Sequence, residues 1–205
     1  KQQGHDTVVA PCSACFLGLR KTNKYLGQFP EMRDRVERAL SAADLEYKGD
    51  VKVRHLVDVI MNDVGFEAIQ AAVKKPLSGL KVAGYAGCQL VRPFTNFGEL
   101  DDTEYPTVLE KIAESLGATP VPLGMAARCC GGSQMMTNEE VALGMCRELL
   151  TSMANSGADV VMTTCPLCHM NLDMFQRAVN ARFGTSFNIP VVYFTQLMGI
   201  AMGLG

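Results

Sequence analysis

The stretch Arg128-Cys-Cys-Gly-Gly-Ser-Gln134 sets two thiols side by side and follows them with two glycines. Adjacent cysteines are poor disulfide partners for each other, and in extended chain their side chains point opposite ways. Gly131-Gly132 permit unusual backbone angles and close approach by another group. The pair therefore needs partners elsewhere, and Cys88 and the Cys165-Pro-Leu-Cys168 turn supply them. A Cys-x-x-Cys turn sets two sulfurs about one helical turn apart, close enough to serve one metal centre. The helix expected after Cys168 favours thiolate through its amino end. Cys88, Cys129, Cys130, Cys165 and Cys168 make five candidate thiolates, whereas structural zinc is satisfied by four. A fifth sulfur and a vicinal pair suit a multi-iron cluster better. A zinc site and thiol exchange or disulfides stand as the alternatives.

Other residues surround this set. Cys12-Ser-Ala-Cys15 is a second Cys-x-x-Cys with no third or fourth partner in the chain. His169 directly follows Cys168 and is a candidate proton relay or donor to a cluster sulfur. Arg92, four residues after Cys88, and Arg128, beside the pair, are candidates to offset cluster charge or hold an anionic substrate. Cys146 shares a helical face with Ala142, Leu149, Leu150 and Met153 and reads as a core thiol. His55 reads as structural at a helix start and His5 as solvent-exposed. Met135 and Met136 read as core filling more than as an apolar wall beside the centre.

The elements that would position these groups alternate between strand and helix. An imperfect repeat matches His5–Leu19 to Ala158–Leu172, aligning Asp6 with Asp159, Val8 with Val161 and both cysteines with both cysteines. Each copy is a short apolar strand running into Cys-x-x-Cys and then a helical stretch. The later copy continues through Met174, Phe175 and Val179 at helical spacing. A weaker echo follows each copy, with Val51–Ile60 and Pro190–Ile200 both reading as a strand turning into a helix. Residues 31–47 and 54–63 read as amphipathic helices, 80–85 as a strand ending at Gly87-Cys88, 108–116 as a helix and 119–123 as a short strand. Thr137-Asn-Glu-Glu140 reads as a capping box opening a helix to about Ala154. Lys74-Lys-Pro76 with Ser78-Gly79 marks a boundary, giving domains 1–76 and 77–205. The expected class is α/β with parallel-rich sheets flanked by helices, and the cysteines gathered at strand carboxyl ends.

Composition excludes several functions. The chain has 205 residues, 48% of them hydrophobic, and a formal net charge of −2 without a basic run, which argues against nucleic acid as a partner. No secretory signal is visible at the start. The longest apolar stretch, 189–205, is interrupted by Thr195 and Gln196 and reads as a strand and packed helix, not a transmembrane segment. Eight cysteines without an export signal favour metal or redox chemistry, and a cytoplasmic location, over a disulfide framework.

A lone Cys88, then Cys129-Cys130-Gly131, then Cys165-Pro166-x-Cys168-His169 resembles the cysteine-rich CCG domain of the heterodisulfide reductase B-subunit family. Gly87-Cys-Gln-Leu-Val-Arg-Pro93 and Val191-Val-Tyr-Phe-Thr-Gln-Leu197 are similar too, so the resemblance covers nearly the whole chain. It implies two pseudo-repeated CCG domains, each binding a noncubane [4Fe-4S] cluster through five cysteines. Cys88, Cys129, Cys130, Cys165 and Cys168 match the second domain's ligands. Cys12 and Cys15 match the last two ligands of the first, whose remaining ligands would lie upstream of Lys1. The resemblance further implies reductive cleavage, or reverse formation, of a small thiol–thiol disulfide. Electrons would come from two further members of the complex, a ferredoxin-like iron–sulfur protein (the C subunit) and a flavin protein (the A subunit). The domain also occurs in succinate, fumarate, glycolate and lactate oxidoreductases, so an electron-relay subunit without its own substrate site is the alternative. A chain lacking an initiator Met and beginning inside a repeat is expected to be amino-terminally incomplete.

Overall fold

The computed structural model of the chain describes residues 4–92 and 100–204, so Pro93 of the similar flank lies outside the described residues. Strand β1 (Thr7–Ala10) leads into helix α1 (Ser13–Gln28) and then α2 (Pro30–Ser41). Strand β2 (Lys52–His55) pairs with β1 in parallel, with Val8 opposite Val53 and Ala10 opposite His55. Helix α3 (Leu56–Val59), a π-helical turn (Ile60–Val64) and α4 (Phe66–Ala72) complete this half.

The second half is a four-stranded parallel sheet of order β4-β3-β5-β6, with β3 at Lys81–Tyr85, β4 at Thr119–Val121, β5 at Val160–Thr163 and β6 at Val191–Tyr193. Helices α5 (Cys88–Val91), α6 (Val108–Ser115), α7 (Glu139–Asn155), α8 (Pro166–Asp173), α9 (Gln176–Phe183) and α10 (Phe194–Ala201) flank it. Side chains of a strand alternate between faces, and a sheet covered on both faces needs apolar residues on both. Val82, Val160 and Met162 accordingly enter one core with Ile112, Phe194 and Leu197. Ala83, Tyr85 and Val161 enter the other, with Leu149, Leu150, Met153 and Leu172. The first core also takes Ala10, Phe16, Val57 and Ile69, so the two halves share packing across residue 76.

These elements realise the α/β class expected from the alternation of patterns. Several boundaries differ from expectation. The helix expected over 31–47 ends at Ser41 and buries no residue, and Asp44 takes a left-handed φ of +52° just beyond it. The helix expected from Arg54 begins at Leu56, because β1 recruits Arg54 and His55 into the ladder. Arg54 instead reaches Asp58 and Asp63, each at 2.6 Å. The start of α7 is capped by Asn138, whose Oδ1 accepts from the Val141 N–H, and Thr137 turns back to Gln134. Pro120 sits on the edge strand β4, where its missing N–H costs least. The stretch 189–205 yields β6 and α10, and among the described residues no helix is long and apolar enough to cross a membrane.

Strand β1 contrasts with its repeat mate. All four residues of β5 are buried, with β3 on one side and β6 on the other. Among the described residues β1 pairs with β2 alone, and Val8 and Val9 are 44% and 43% exposed on opposite faces.

Candidate metal centre

Parallel strands deliver their loops to one edge, and here that edge collects thiols. Cys88 opens α5 just after β3, Cys165 caps α8 just after β5, and the loop following β4 carries Cys129-Cys130. The Sγ atoms of Cys130 and Cys168 lie 3.3 Å apart. Cys88 and Cys129 act on each other's ionisation, as do Cys165 and Cys168. All five sequence-predicted thiols therefore gather at this edge as interacting pairs. Among the described residues no group of three His, Cys, Asp or Glu side chains is placed to hold one metal ion.

The glycines shape this cradle for two distinct reasons. Gly131 has φ +74°, which a side chain would strain, and its N–H donates to Cys129 Sγ at 3.3 Å. Gly132 has an ordinary φ, but a Cβ there would sit 2.7 Å from the Leu167 side chain and 3.4 Å from Cys130 Sγ. On the opposite side, a Cβ at Gly87 would stand 3.4 Å from Cys168 Sγ.

Hydrogen bonds set the charge pattern. Cys165 is pushed down to about 5, first by its bond with Cys168 and then by N–H groups including those of Cys168, Ala14 and Leu167. Cys129 is pushed down to about 6 by Cys88 and by the Gly131 N–H, against an opposing desolvation. Cys130 is lowered by Cys168 and the Gly132 N–H. Cys88 and Cys168 move the other way because they share their protons with those sulfurs and burial opposes their charge. Cys129, Cys130 and Cys165 are thus all shifted toward the thiolate form, Cys129 and Cys165 the furthest below the ordinary thiol range.

The surrounding residues divide as follows. Cys146 is fully buried in the core and pushed up to about 12 by burial; its Sγ contacts the Cys130 carbonyl oxygen at 3.3 Å, so it supports the centre from behind. Asn171, also fully buried, donates from Nδ2 to the same carbonyl at 3.0 Å, leaving its Oδ1 without a partner among the described residues. Tyr85 lies under the cysteines and donates to the Arg128 carbonyl at 2.7 Å, fixing the loop that carries the pair. Nothing in the linear pattern marked Tyr85 or Asn171, because an apolar strand end and an amphipathic helix explain them equally well. Met135 is buried as core filling, and Met136 is exposed.

Cys12 caps α1, with Sγ accepting from the Cys15 N–H at 3.4 Å, and burial pushes it up to about 11; Cys15 is exposed. Ser13, next to Cys12, lies 3.0 Å from Thr164, next to Cys165, so the two Cys-x-x-Cys turns adjoin. His169 is half-buried on α8, where its backbone N–H donates to the Cys165 carbonyl, and its imidazole makes no hydrogen bond among the described residues. Arg92 and Arg128 line a cavity of about 230 Å³ with Met125, Cys129, Met145, Glu148 and Leu149. Arg92 pairs with Glu104 at 2.7 Å, and Arg128 approaches Glu148 at 3.9 Å. His5 is exposed, and His55 is buried at the end of β2.

Comparison with known proteins agrees with this picture. Residues 82–173, which contain all five thiols, match the model of the CCG cysteine-rich domain family. Over 205 residues the chain is 33% identical to the B subunit of the ferredoxin/F(420)H(2)-dependent CoB-CoM heterodisulfide reductase of Methanosarcina acetivorans, covering 99% of this chain and 67% of that protein. It is 34% identical to the 8-methylmenaquinol:fumarate reductase membrane anchor subunit of Wolinella succinogenes, covering 96% and 68%. With the B subunit of the ferredoxin:CoB-CoM heterodisulfide reductase of Methanosarcina mazei the identity is 32%, covering 96% and 65%. The chain thus spans about two thirds of the length of these relatives. A hypothetical protein from Helicobacter pylori shares the fold with a TM-score of 0.66 at 14% identity, over 88% of this chain and 32% of that one.

Proposed function

The chain belongs to the heterodisulfide reductase B-subunit family, and from that premise we propose that it is the iron–sulfur subunit of a heterodisulfide reductase-like complex. The observation that carries this reading is the meeting of Cys88, Cys129, Cys130, Cys165 and Cys168 at one sheet edge. Five sulfurs gathered at one edge, three of them shifted toward thiolate, fit a noncubane [4Fe-4S] cluster better than a four-ligand zinc ion. When bound, such a cluster supplies electrons to a sulfur–sulfur bond. The overall change is RSSR′ + 2 e⁻ + 2 H⁺ → RSH + R′SH, or its reverse.

Around that chemistry the chain's own groups have distinct tasks. Arg92 and Arg128, beside Cys129, would hold an anionic group of the disulfide, and the Met125 and Met145 side chains would cover its apolar part. His169, next to Cys168, would pass a proton to a departing thiolate. The electrons would arrive from the ferredoxin-like and flavin-bearing members of the same complex.

The two-domain organisation, 1–76 and 77–205, belongs to the same proposal, with Cys12 and Cys15 as part of the ligand set of a second noncubane cluster. Support comes from β1, which carries its own Cys-x-x-Cys turn and leaves Val8 and Val9 exposed, pairing with β2 alone among the described residues, where β5 is paired on both sides. The second reading is an electron-relay subunit without a substrate site, favoured by the likeness to a fumarate reductase subunit. The intact complex, given an artificial electron donor and a heterodisulfide of two small anionic thiols, is expected to release both thiols. Donor oxidation without thiol release would establish the relay instead.

A further inference from the structure

The strands that follow the two Cys-x-x-Cys copies end in different residues at equivalent places. His55 ends β2 and caps α3, and Tyr193 ends β6 and caps α10. Each reaches into the other half of the chain. Tyr193 Oη donates to the Pro11 carbonyl at 2.5 Å, and Pro11 immediately precedes Cys12. The His55 imidazole lies 3.5 Å from Ser13 Oγ, which carries the contact across to Thr164 Oγ1 at 3.0 Å, and Thr164 immediately precedes Cys165. In the repeat, Pro11 aligns with Thr164 and Cys12 with Cys165. The two contacts are therefore reciprocal, in the manner of a twofold interface built within one chain.

The His55 side has a fixed direction. Its Nδ1 accepts from the Val57 N–H at 3.1 Å, so Nε2 carries the proton and faces Ser13 Oγ at 3.5 Å. Thr164 Oγ1 donates to the Ala86 carbonyl at 3.2 Å, which makes it the acceptor for Ser13 Oγ at 3.0 Å. Polar contacts thus run from Val57 through His55, Ser13 and Thr164 to Ala86, and the three side chains are buried. Every link adjoins a cysteine turn: Ser13 is next to Cys12, Thr164 is next to Cys165, and Ala86 lies two residues before Cys88. Ser13 Oγ also reaches the Thr164 carbonyl at 3.4 Å, so shifting either turn would take partners from buried polar groups.

We propose that His55 and Tyr193, with Ser13 and Thr164, are positioning residues that clasp the two Cys-x-x-Cys turns face to face across the repeat interface. The role as positioning for cluster ligands rests on the iron–sulfur reading above; the clasp itself does not. Its consequence is a fixed spacing between whatever the two cysteine sets hold, which two-centre electron delivery to one disulfide requires.

Amide hydrogen exchange on the full chain as purified tests the clasp, with iron and sulfide content measured on the same samples. Tyr193→Phe and Thr164→Val are expected to speed exchange over residues 11–16 and 164–169 on the order of tenfold, the effect of losing about one net hydrogen bond. The core of α7 (142–153) should keep its parental rate, and Thr164→Ser, which keeps the hydroxyl, should behave as the parent. Parental exchange in both disabling variants would overturn the clasp. So would acceleration shared equally by α7, which would make these contacts general supports of the fold, or a Thr164→Ser protein as fast as Thr164→Val. A parent without iron would instead remove the iron–sulfur reading and leave the exchange comparison intact.

Discussion

Cys129 and Cys130 work apart because neighbouring side chains diverge. Cys129 turns to Cys88, and Cys130 turns to Cys168. The vicinal pair thereby links two strand ends that no single cysteine could reach together. His55 offers a second residue-scale consequence. Burial lowers its imidazole to about 4, against 6.5 in an exposed chain, so the unfolded protein binds the extra proton first as pH falls. Stability is full above about pH 6.5 and declines as pH drops toward 4, by roughly 2 kcal/mol at pH 5 and about 3 kcal/mol at the limit. Urea midpoints at pH 7.5 and 5.0 should show this loss, and His55→Asn should lack most of it; equal pH dependence in both proteins would assign the loss to other groups. The cysteines and the burial of Cys146 were legible in the sequence because spacing and periodicity encode them. The partners of His55 were not, since Ser13 and Thr164 are 151 residues apart and only the fold brings them together.

Between elements, fit is decided by small residues at close approaches. Gly84 of β3 lies under α6, where an added Cβ would stand 2.8 Å from Leu109 Cβ. Neither partner is a flexible chain end, so Gly84→Ala should force the helix off the sheet and destabilise by about 1–3 kcal/mol. Gly144 on α7 has open space around its would-be Cβ, and Gly144→Ala should stabilise by about 0.5–1 kcal/mol. Opposite shifts of the urea midpoint check both, and a parental midpoint for Gly84→Ala would contradict this packing. At this scale the sequence located nearly every strand, because apolar runs ending in Gly or Cys are distinctive. It misjudged the extent of 31–47 and the start at Arg54. A charged amphipathic pattern does not say where an exposed helix stops, and the recruitment of Arg54 into a strand depends on β1, more than 40 residues away.

For the whole molecule, the repeat explains why chemistry concentrates at one place. Two copies of strand, Cys-x-x-Cys and helix meet through Ser13 and Thr164, and the later copy adds the lone cysteine and the vicinal pair on its own strand ends. The sheet edge that collects the thiols is thus a property of topology, and the α/β alternation visible in the sequence already implied it. In the reading proposed above, this edge holds an iron–sulfur cluster through Cys130 and the other four thiols. The most direct measurement is iron and acid-labile sulfide in anaerobically purified protein, read with its electron-paramagnetic spectrum in Cys130→Ser and Cys146→Ser variants. The account predicts iron and sulfide together, a spectrum altered or lost in Cys130→Ser, and a parental spectrum in Cys146→Ser. Zinc without iron or sulfide, or a parental spectrum in Cys130→Ser, would contradict it.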